Sequence, residues 1–432
     1  MHYDNDRCPD DLGELIDLRR KFHALTFSNP NYFGNAPESG QASALKVVGN
    51  TTFEDIGCVG YQPQTDRLEA VIYVKQPNGY GGNLCSGGSN EFIRFYGSWN
   101  DGTTWHDLGM SVLQVWNIPE GTEGEGRLEY AVTLHTNLTR LICRRPQMVL
   151  IRAILSWNQP PPPNTPDFPP VWGDVHETHI IIEPRRRWRV KDLFEAAEVN
   201  SFAEISDLFD AEATVTAKPK ALPLKALQQL YKDSDVPAKR FALPQLSKML
   251  TGAALSPGWA GGDFLAQSGK FQFDPSILDD LLNPGDGDTS YEELECVGYD
   301  PREDCLVGTI RVKRSAGYSG GLCTDGSREY VTFWADLDGT GSFETCLGTA
   351  DVRVYDIDKF PDDGLEFASG RPRTSSSPRS PAIAPISTRM RCSKAGSLPP
   401  TSISAGSGSK SFPTRRPRAS SPIRPPASAS IS

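Results

Sequence analysis

The sequence predicts a mainly β protein built from two copies of one β-sandwich unit, joined by a helical connector and followed by a disordered tail. Three observations carry this reading. The stretch from Cys58 to Phe95 recurs without a gap from Cys296 to Phe333, and a repeat of that length marks a duplicated structural unit. Around it, short β-branched and aromatic runs alternate with Gly, Pro and Asn, as in turn-rich all-β chains. The 432 residues include 39 Gly and 35 Pro, and that length allows two to four domains, each able to bury a core.

Residues 1–28 are expected to form an N-terminal helical segment. From Asp10 to Leu25, Leu12, Leu15, Ile16 and Leu18 are spaced for one buried face, behind an Asp-rich start that suits the helix dipole. Residues 29–185 form the first β unit. Its strands are read at Leu68–Val74, Phe92–Tyr96, Val112–Trp116, Leu128–Leu134, Val149–Trp157 and His179–Glu183. The run Pro160–Pro163 has no N–H to offer a ladder and is expected to leave the unit as an extended arm.

Residues 186–282 change to a helical period. Val190, Leu193, Phe194 and Ala197 are followed by Phe202, Ile205, Leu208 and Phe209, then by Leu224, Leu227, Leu230 and Tyr231. Ser201 with Glu204 fits a capping box, and Leu243–Leu250 adds a shorter amphipathic helix. This connector either spaces and docks the two β units or presents a helical surface to a partner; buried helix faces look alike in both cases.

Residues 283–368 form the second β unit. S-Y-E-E-L-E-C before Cys296 echoes T-F-E-D-I-G-C before Cys58, and Leu365–Ala368 matches Leu128–Ala131. The correspondence then stops. Residues 369–432 hold eleven Lys plus Arg and no Asp or Glu, against a net charge of −10 for the whole chain. Such a Ser/Pro/Arg-rich tail cannot bury enough surface to fold. It reads as a basic arm for nucleic acid, as a solvated linker, or as a frameshifted stretch outside the native reading frame. In the last case the second unit is truncated, lacking counterparts of Val149–Trp157 and His179–Glu183 and exposing strand edges. Phe412 is the tail's lone aromatic residue, which speaks against base stacking.

No apolar run reaches the ~20 residues of a membrane helix. The first residues, M-H-Y-D-N-D-R-C-P-D-D-L, lack the basic start and apolar core of a secretory signal. The expectation is therefore a cytoplasmic protein without a membrane partner, or a secreted one if the true start lies upstream. Nine cysteines include two repeat-matched pairs, Cys58 with Cys85 and Cys296 with Cys323. These four are candidates for one disulfide per repeat, for a thiolate metal site, or for small buried apolar residues. No C-x-x-C is present, so zinc has little support.

The sequence has no phosphate loop and no dinucleotide fingerprint. His176 and His179, with Glu177, lack the zincin spacing and fall on a strand, where residues three apart point to opposite faces. No cofactor is expected. One weak calcium loop exists, with Asp336, Asp338, Thr340 and Ser342 placing oxygens at alternate positions around Gly341; the bland alternative is a set of side chains closing a hairpin. Asn137-Leu138-Thr139 fits a glycosylation acceptor only formally. Tyr80 and Tyr318 sit at matched places in glycine-rich loops, and Trp99, Trp105 and Trp334 lie on or beside hairpin turns. Tyr80, Trp105, Tyr318 and Trp334 are the candidate ligand-binding residues, as flat rings for stacking a sugar; otherwise they plug the ends of the core.

The turn from Ser98 to Trp105, S-W-N-D-G-T-T-W, resembles the Asp-box of sialidase-type proteins, a hairpin-turn motif, with Asn100 in place of the Asp. This turn and Ala335–Glu344, A-D-L-D-G-T-G-S-F-E, also resemble the W-D-F-G-D-G-T turn of PKD domains, which implies an immunoglobulin-like β-sandwich. Over most of each unit the repeat resembles an uncharacterised group of bacterial proteins with C-V-G-Y, G-Y-x-G-x-L-C and R-A-I-L-S-W elements, the last at Arg152–Trp157. That resemblance implies no activity. The expected function is a non-enzymatic binding or structural protein engaging a partner protein or glycan through repeated loops, where two weak sites gain from effective concentration. The alternative is a glycan-hydrolase accessory or cryptic hydrolase using acidic residues such as Glu91 and Asp101, which requires the two carboxylates to converge.

Overall fold

The computed structural model describes residues 11–118, 127–141, 143, 146–185, 187–189, 214–216, 219–238, 240–241, 289–337 and 340–372. They form a mainly β protein with several sheets, as expected for the sandwich class.

Helix α1 (Leu12–Ser28) starts where Asp11 caps it, the Asp11 carboxylate accepting from the Glu14 N–H at 3.0 Å. Leu15, Arg19 and Phe22, spaced by a turn, form its buried stripe. The first unit then contributes β1 (Glu54–Gln62), β2 (Arg67–Val74), β3 (Ser89–Ser98), β4 (His106–Val115), β5 (Leu128–His135), β6 (Gln147–Trp157) and β7 (Val175–Ile182). The connector adds β8 (Arg187–Arg189), β9 (Thr214–Thr216) and helix α2 (Leu224–Leu230). The second unit contributes β10 (Glu292–Asp300), β11 (Cys305–Val312), β12 (Ser327–Ala335), β13 (Thr345–Val354) and β14 (Leu365–Pro372).

The two units are not side-by-side sandwiches with separate inner sheets. Strands β5-β2-β1 of the first and β14-β11-β10 of the second close into one six-stranded barrel. Inside each half the pairing is antiparallel; at the two seams, β1 with β14 and β10 with β5, it is parallel. The seam registers, Tyr61 opposite Phe367 and Tyr299 opposite Tyr130, are repeat equivalents of each other. The barrel therefore has an internal two-fold relation, and closure removes edges that each three-stranded half would expose.

The repeated C-V-G-Y motif builds those seams. A Cβ on Gly60 would lie 2.8 Å from the Ala368 nitrogen, and one on Gly298 2.9 Å from the Tyr130 carbonyl carbon, so only glycine allows the two backbones to approach. The register of β1 on β2 slips between Ile56 and Cys58, and that of β10 on β11 between Leu294 and Cys296. Past those bulges, Cys58 and Cys296 are joined as a disulfide. They share a buried cluster with Val71, Tyr73, Ala131, Cys305, Val307 and Ala368, residues drawn from all six barrel strands. The motif tyrosines close the next turn: the Tyr61 and Tyr299 hydroxyls donate to Asp66 and Asp304, both in the left-handed region.

Outside the barrel the first unit carries the sheet β4-β3-β6-β7 and the second the pair β12-β13. The larger core lies between the first unit's barrel strands, its outer sheet and α1, where Phe22, Phe33, Trp157 and Trp172 meet ring to ring.

Three expectations change in detail. The Pro160–Pro163 arm does not leave the unit: its carbonyls at Pro161 and Pro162 accept from Arg94 Nε at 2.8 Å and the Tyr96 hydroxyl at 3.0 Å, so prolines without donors still serve as acceptors. Trp188 lies on strand β8 rather than a helix, because Arg187–Arg189 pairs with Thr214–Thr216. The Leu224 helix is present; the proposed helices through Phe202 and through Leu243–Leu250 lie outside the described residues. The second unit extends past residue 368, since β14 runs to Pro372 against β11: ladder pairing uses backbone groups, which Ser369 and Gly370 supply as well as any residue. The tail beyond residue 372 lies outside the described residues.

Candidate functional site

The duplication repeats one buried cluster, and its residues come from the repeated segment and from the helical element before it. In the first unit, Glu54 opens β1, Glu91 lies on β3, Tyr80 and Gly79 come from the glycine-rich loop, and Arg19 comes from α1. All four side chains are buried, Glu54, Tyr80 and Glu91 completely. Arg19 Nη1 donates to both Glu54 oxygens at 2.9 Å, and Arg19 Nε donates to the Gly79 carbonyl at 3.2 Å. Its guanidinium carbon sits 4.1 Å from the Phe53 ring centroid and 4.0 Å from that of Trp157, the geometry of a desolvated cation on aromatic faces. Glu91 Oε1 lies 4.0 Å from Arg19 Nη2, an ion pair without a hydrogen bond.

The second unit repeats this arrangement. Arg240, in the helical turn after Pro237, donates from Nη1 and Nη2 to the two oxygens of Glu292, both at 2.6 Å, a bidentate fork. Its Nε donates to the Gly317 carbonyl at 3.3 Å, matching the Arg19 contact to Gly79. Nη2 also reaches Glu329 Oε1 at 3.4 Å, and Ser327 donates to the same oxygen at 3.0 Å. Tyr291 and Tyr318 face the guanidinium at 4.6 and 5.2 Å.

Burial dominates the electrostatics. It raises Glu54 above the ordinary carboxylate range against the pull of Arg19, and it raises Glu91 further, with the Glu54 charge adding to the effect. Glu329 is pushed up to about 7 by burial and by Glu292. A second acidic group lies on the barrel: Glu69, fully buried beside Arg67 at 3.2 Å, is raised to about 7, first by burial and then by Asp300 and Glu303. The second unit has Cys305 at the place of Arg67, and burial pushes that free thiol up to about 12.

The candidate stacking residues are not gathered into platforms. Tyr80 and Tyr318 are fully buried, their hydroxyls donating to the carbonyls of Phe53 at 2.7 Å and Tyr291 at 2.9 Å. The glycine-rich loops fold inward because Asn117 and Asp356 accept from the backbone N–H groups of Gly79 with Tyr80 and of Gly317 with Tyr318. Trp105 is half-buried with Arg152 4.3 Å from its ring, and Trp334 is half-buried on β12. Trp99, 42% exposed, is the open ring of the first hairpin.

Glu91 and Asp101 do not converge. Glu91 is buried in the arginine cluster, whereas Asp101 projects from the hairpin into solvent 3.5 Å from His179 Nε2. On its other side His179 Nδ1 contacts Asp363 of the second unit at 3.0 Å. The Asp-box-like turn is closed by Asn100, whose Oδ1 accepts from Ser98, the Thr104 N–H and the Thr104 hydroxyl. In the calcium candidate, Asp336 accepts from the backbone N–H groups of Thr340 and Gly341, Thr340 and Ser342 are exposed, and Asp338 lies outside the described residues. Among the described residues no group of three or more His, Cys, Asp or Glu could hold a metal ion.

The four repeat-matched cysteines are all disulfide-bonded, but the pairing within each repeat gives way to pairing across them. Cys58 joins Cys296, Cys143 joins Cys323, and Cys85 is also bonded. The barrel sets Cys58 and Cys296 with Cα atoms 6.5 Å apart, a proximity that spacing along one repeat does not reveal.

Sequence reading missed the arginine clusters. A signal was present in Glu54 and Glu292, each four residues before the repeated cysteine; the arginines stand outside the gapless repeat, at different distances from it.

No protein-family model matches the chain. No curated protein matches it either. Among solved structures, MtrC from Shewanella baltica OS185 aligns over 73% of this chain and 62% of its own, at 9% identity and a TM-score of 0.16. The chain thus spans less than two thirds of the length of that neighbour.

Proposed function

We propose that this chain is a non-enzymatic binding or structural protein in which two repeated β modules are locked into one rigid body that presents its outer loops to a partner protein or glycan. One observation carries the reading: the polar residues that the duplication repeats are turned inward. Arg19 and Arg240 are held by matched glutamates, and Tyr80 and Tyr318 by matched carbonyls. Repeated chemistry spent on internal contacts builds a frame, whereas repeated catalytic groups would open onto a cleft. The exposed Trp99 on the first hairpin supplies the contact ring for a ligand.

The disulfides favour a working place outside reducing cytosol, because such bonds persist in oxidising compartments. No helix among the described residues is long and apolar enough to cross a membrane.

The test is a panel of soluble and insoluble polysaccharides, assayed in parallel for co-sedimentation and for release of reducing ends, with Trp99→Ala as the binding variant. Binding that weakens at least tenfold in the variant, without sugar release, supports the reading. Sugar release abolished by Asp101→Asn or Glu91→Gln would overturn it in favour of a hydrolase.

A further inference from the structure

The two arginine clusters are built from matched residues but differ in how their polar atoms are satisfied. In the second, no buried side-chain atom of Arg240, Glu292 or Glu329 lacks a hydrogen-bond partner. In the first, Arg19 Nη2, both oxygens of Glu91, Ser89 Oγ and the indole N–H groups of Trp157 and Trp172 all lack one. Each of these residues is 3% exposed or less. They are also neighbours: Glu91 and Trp157 are directly opposite across β3 and β6, Arg19 Nη2 is 4.0 Å from Glu91, and the Trp157 and Trp172 rings are 5.5 Å apart. A buried polar group without a partner is costly, and a cluster of them around one point is rare in native cores.

We infer that the first cluster is an internal hydration site holding ordered water between Arg19, Glu91, Trp157 and Trp172. The chemistry selects the occupant. The guanidinium charge and the two unpartnered indole N–H donors disfavour a cation. The Arg19 charge is already paired with Glu54, and the unpartnered Glu91 oxygens beside it disfavour an anion. What remains is a small neutral molecule that both donates and accepts, and buried water typically makes about three such bonds. Ser89 shows the divergence directly: its counterpart Ser327 bonds Glu329 at 3.0 Å, while the Ser89 hydroxyl has no protein partner. Both copies pair the arginine directly with the first glutamate; the first copy joins Arg19 to Glu91 through water, whereas the second joins Arg240 to Glu329 directly. This goes beyond the proposed binding role and does not depend on it.

The test is a crystal structure of the full chain at about 1.5 Å, joined to water-to-indole nuclear Overhauser measurements on the Trp157 and Trp172 N–H groups. Well-ordered density within hydrogen-bond reach of Arg19 Nη2 and Glu91, with cross-relaxation to bound water at both indoles, is the expected result. Density absent with Glu91 rotated onto Arg19 Nη2 overturns the inference, as does an occupant at metal-ligand distance from Glu91. As a separate check, Glu91→Gln keeps a donor and acceptor for water and should shift Tm little, whereas Glu91→Leu strands the water and should lower Tm by several degrees. A higher Tm for Glu91→Leu means that the site is dry, and the inference fails.

Discussion

Cys58 and Cys296, 238 residues apart in sequence, are covalently joined in the cluster shared by all six barrel strands. The bond ties one half of the barrel to the other between equivalent positions, so a single covalent link enforces the internal two-fold relation.

Removing it should be costly. The loop-entropy argument for a cross-link spanning this much chain gives roughly 5 kcal/mol, an upper value because the Cys143–Cys323 bond closes an overlapping loop. Cys58→Ala with Cys296→Ala should lower the denaturant midpoint markedly, and peptide mapping of the untreated protein should recover both cross-links. A mapped Cys58–Cys85 bond would contradict the barrel.

The seam glycines give a sharper test of topology. Gly60→Ala and Gly298→Ala should each destabilise by about 1–3 kcal/mol, since the added methyl meets backbone that cannot yield. Gly87→Ala, where an added Cβ meets nothing within 4 Å, should stay within about 0.5 kcal/mol of the parent in the same urea titration.

Arg19→Ala should cost about 3–5 kcal/mol, because it leaves Glu54 buried with its charge uncompensated. Hydrogen exchange should show the amides of α1 losing protection first, while β10 to β14 stay protected. Uniform loss across both units would mean that Arg19 does not act by docking α1.

Acidic groups set a pH dependence of the opposite sense to ordinary surface carboxylates. Glu69, Glu295 and Glu329 are each raised to about 7 from a reference of 4.5. A raised folded-state value means that the native state holds the proton more tightly. Their contribution is complete below about pH 4.5 and is lost as pH rises through about 7. Thermal unfolding followed from pH 4.5 to 8 should therefore show a falling Tm, and Glu69→Gln or Glu329→Gln should flatten the slope.

Much of the strand content was legible, for physical reasons that also mark the limit. β2, β5 and β6 announce themselves through dense runs of β-branched and aromatic residues, and α1 through its Asp-rich start and apolar spacing, although Leu12 of the expected buried face is exposed. The barrel was hidden because its parallel seams pair Tyr61 with Phe367 and Tyr299 with Tyr130, contacts between distant segments that leave no local pattern. The same holds for Tyr80 and Tyr318. A tyrosine in a glycine-rich loop looks exposed until Asn117 and Asp356 are seen folding the loop inward. Arg19 was invisible as a site residue, since a single arginine on an amphipathic helix ordinarily belongs to its solvated face.

The parallel seam between β1 and β14 also governs how the molecule comes into being. During synthesis β1 leaves the ribosome about 300 residues ahead of its partner strand, an interval of roughly 15–60 s at ordinary elongation rates. Through that time the first half-barrel has an unpaired backbone edge on β1, and its Cys58 thiol waits for a mate not yet translated. The nascent chain is thus a strand-edge hazard from the emergence of Tyr61 until Phe367 arrives, and its yield in a cell depends on what shields that edge in between.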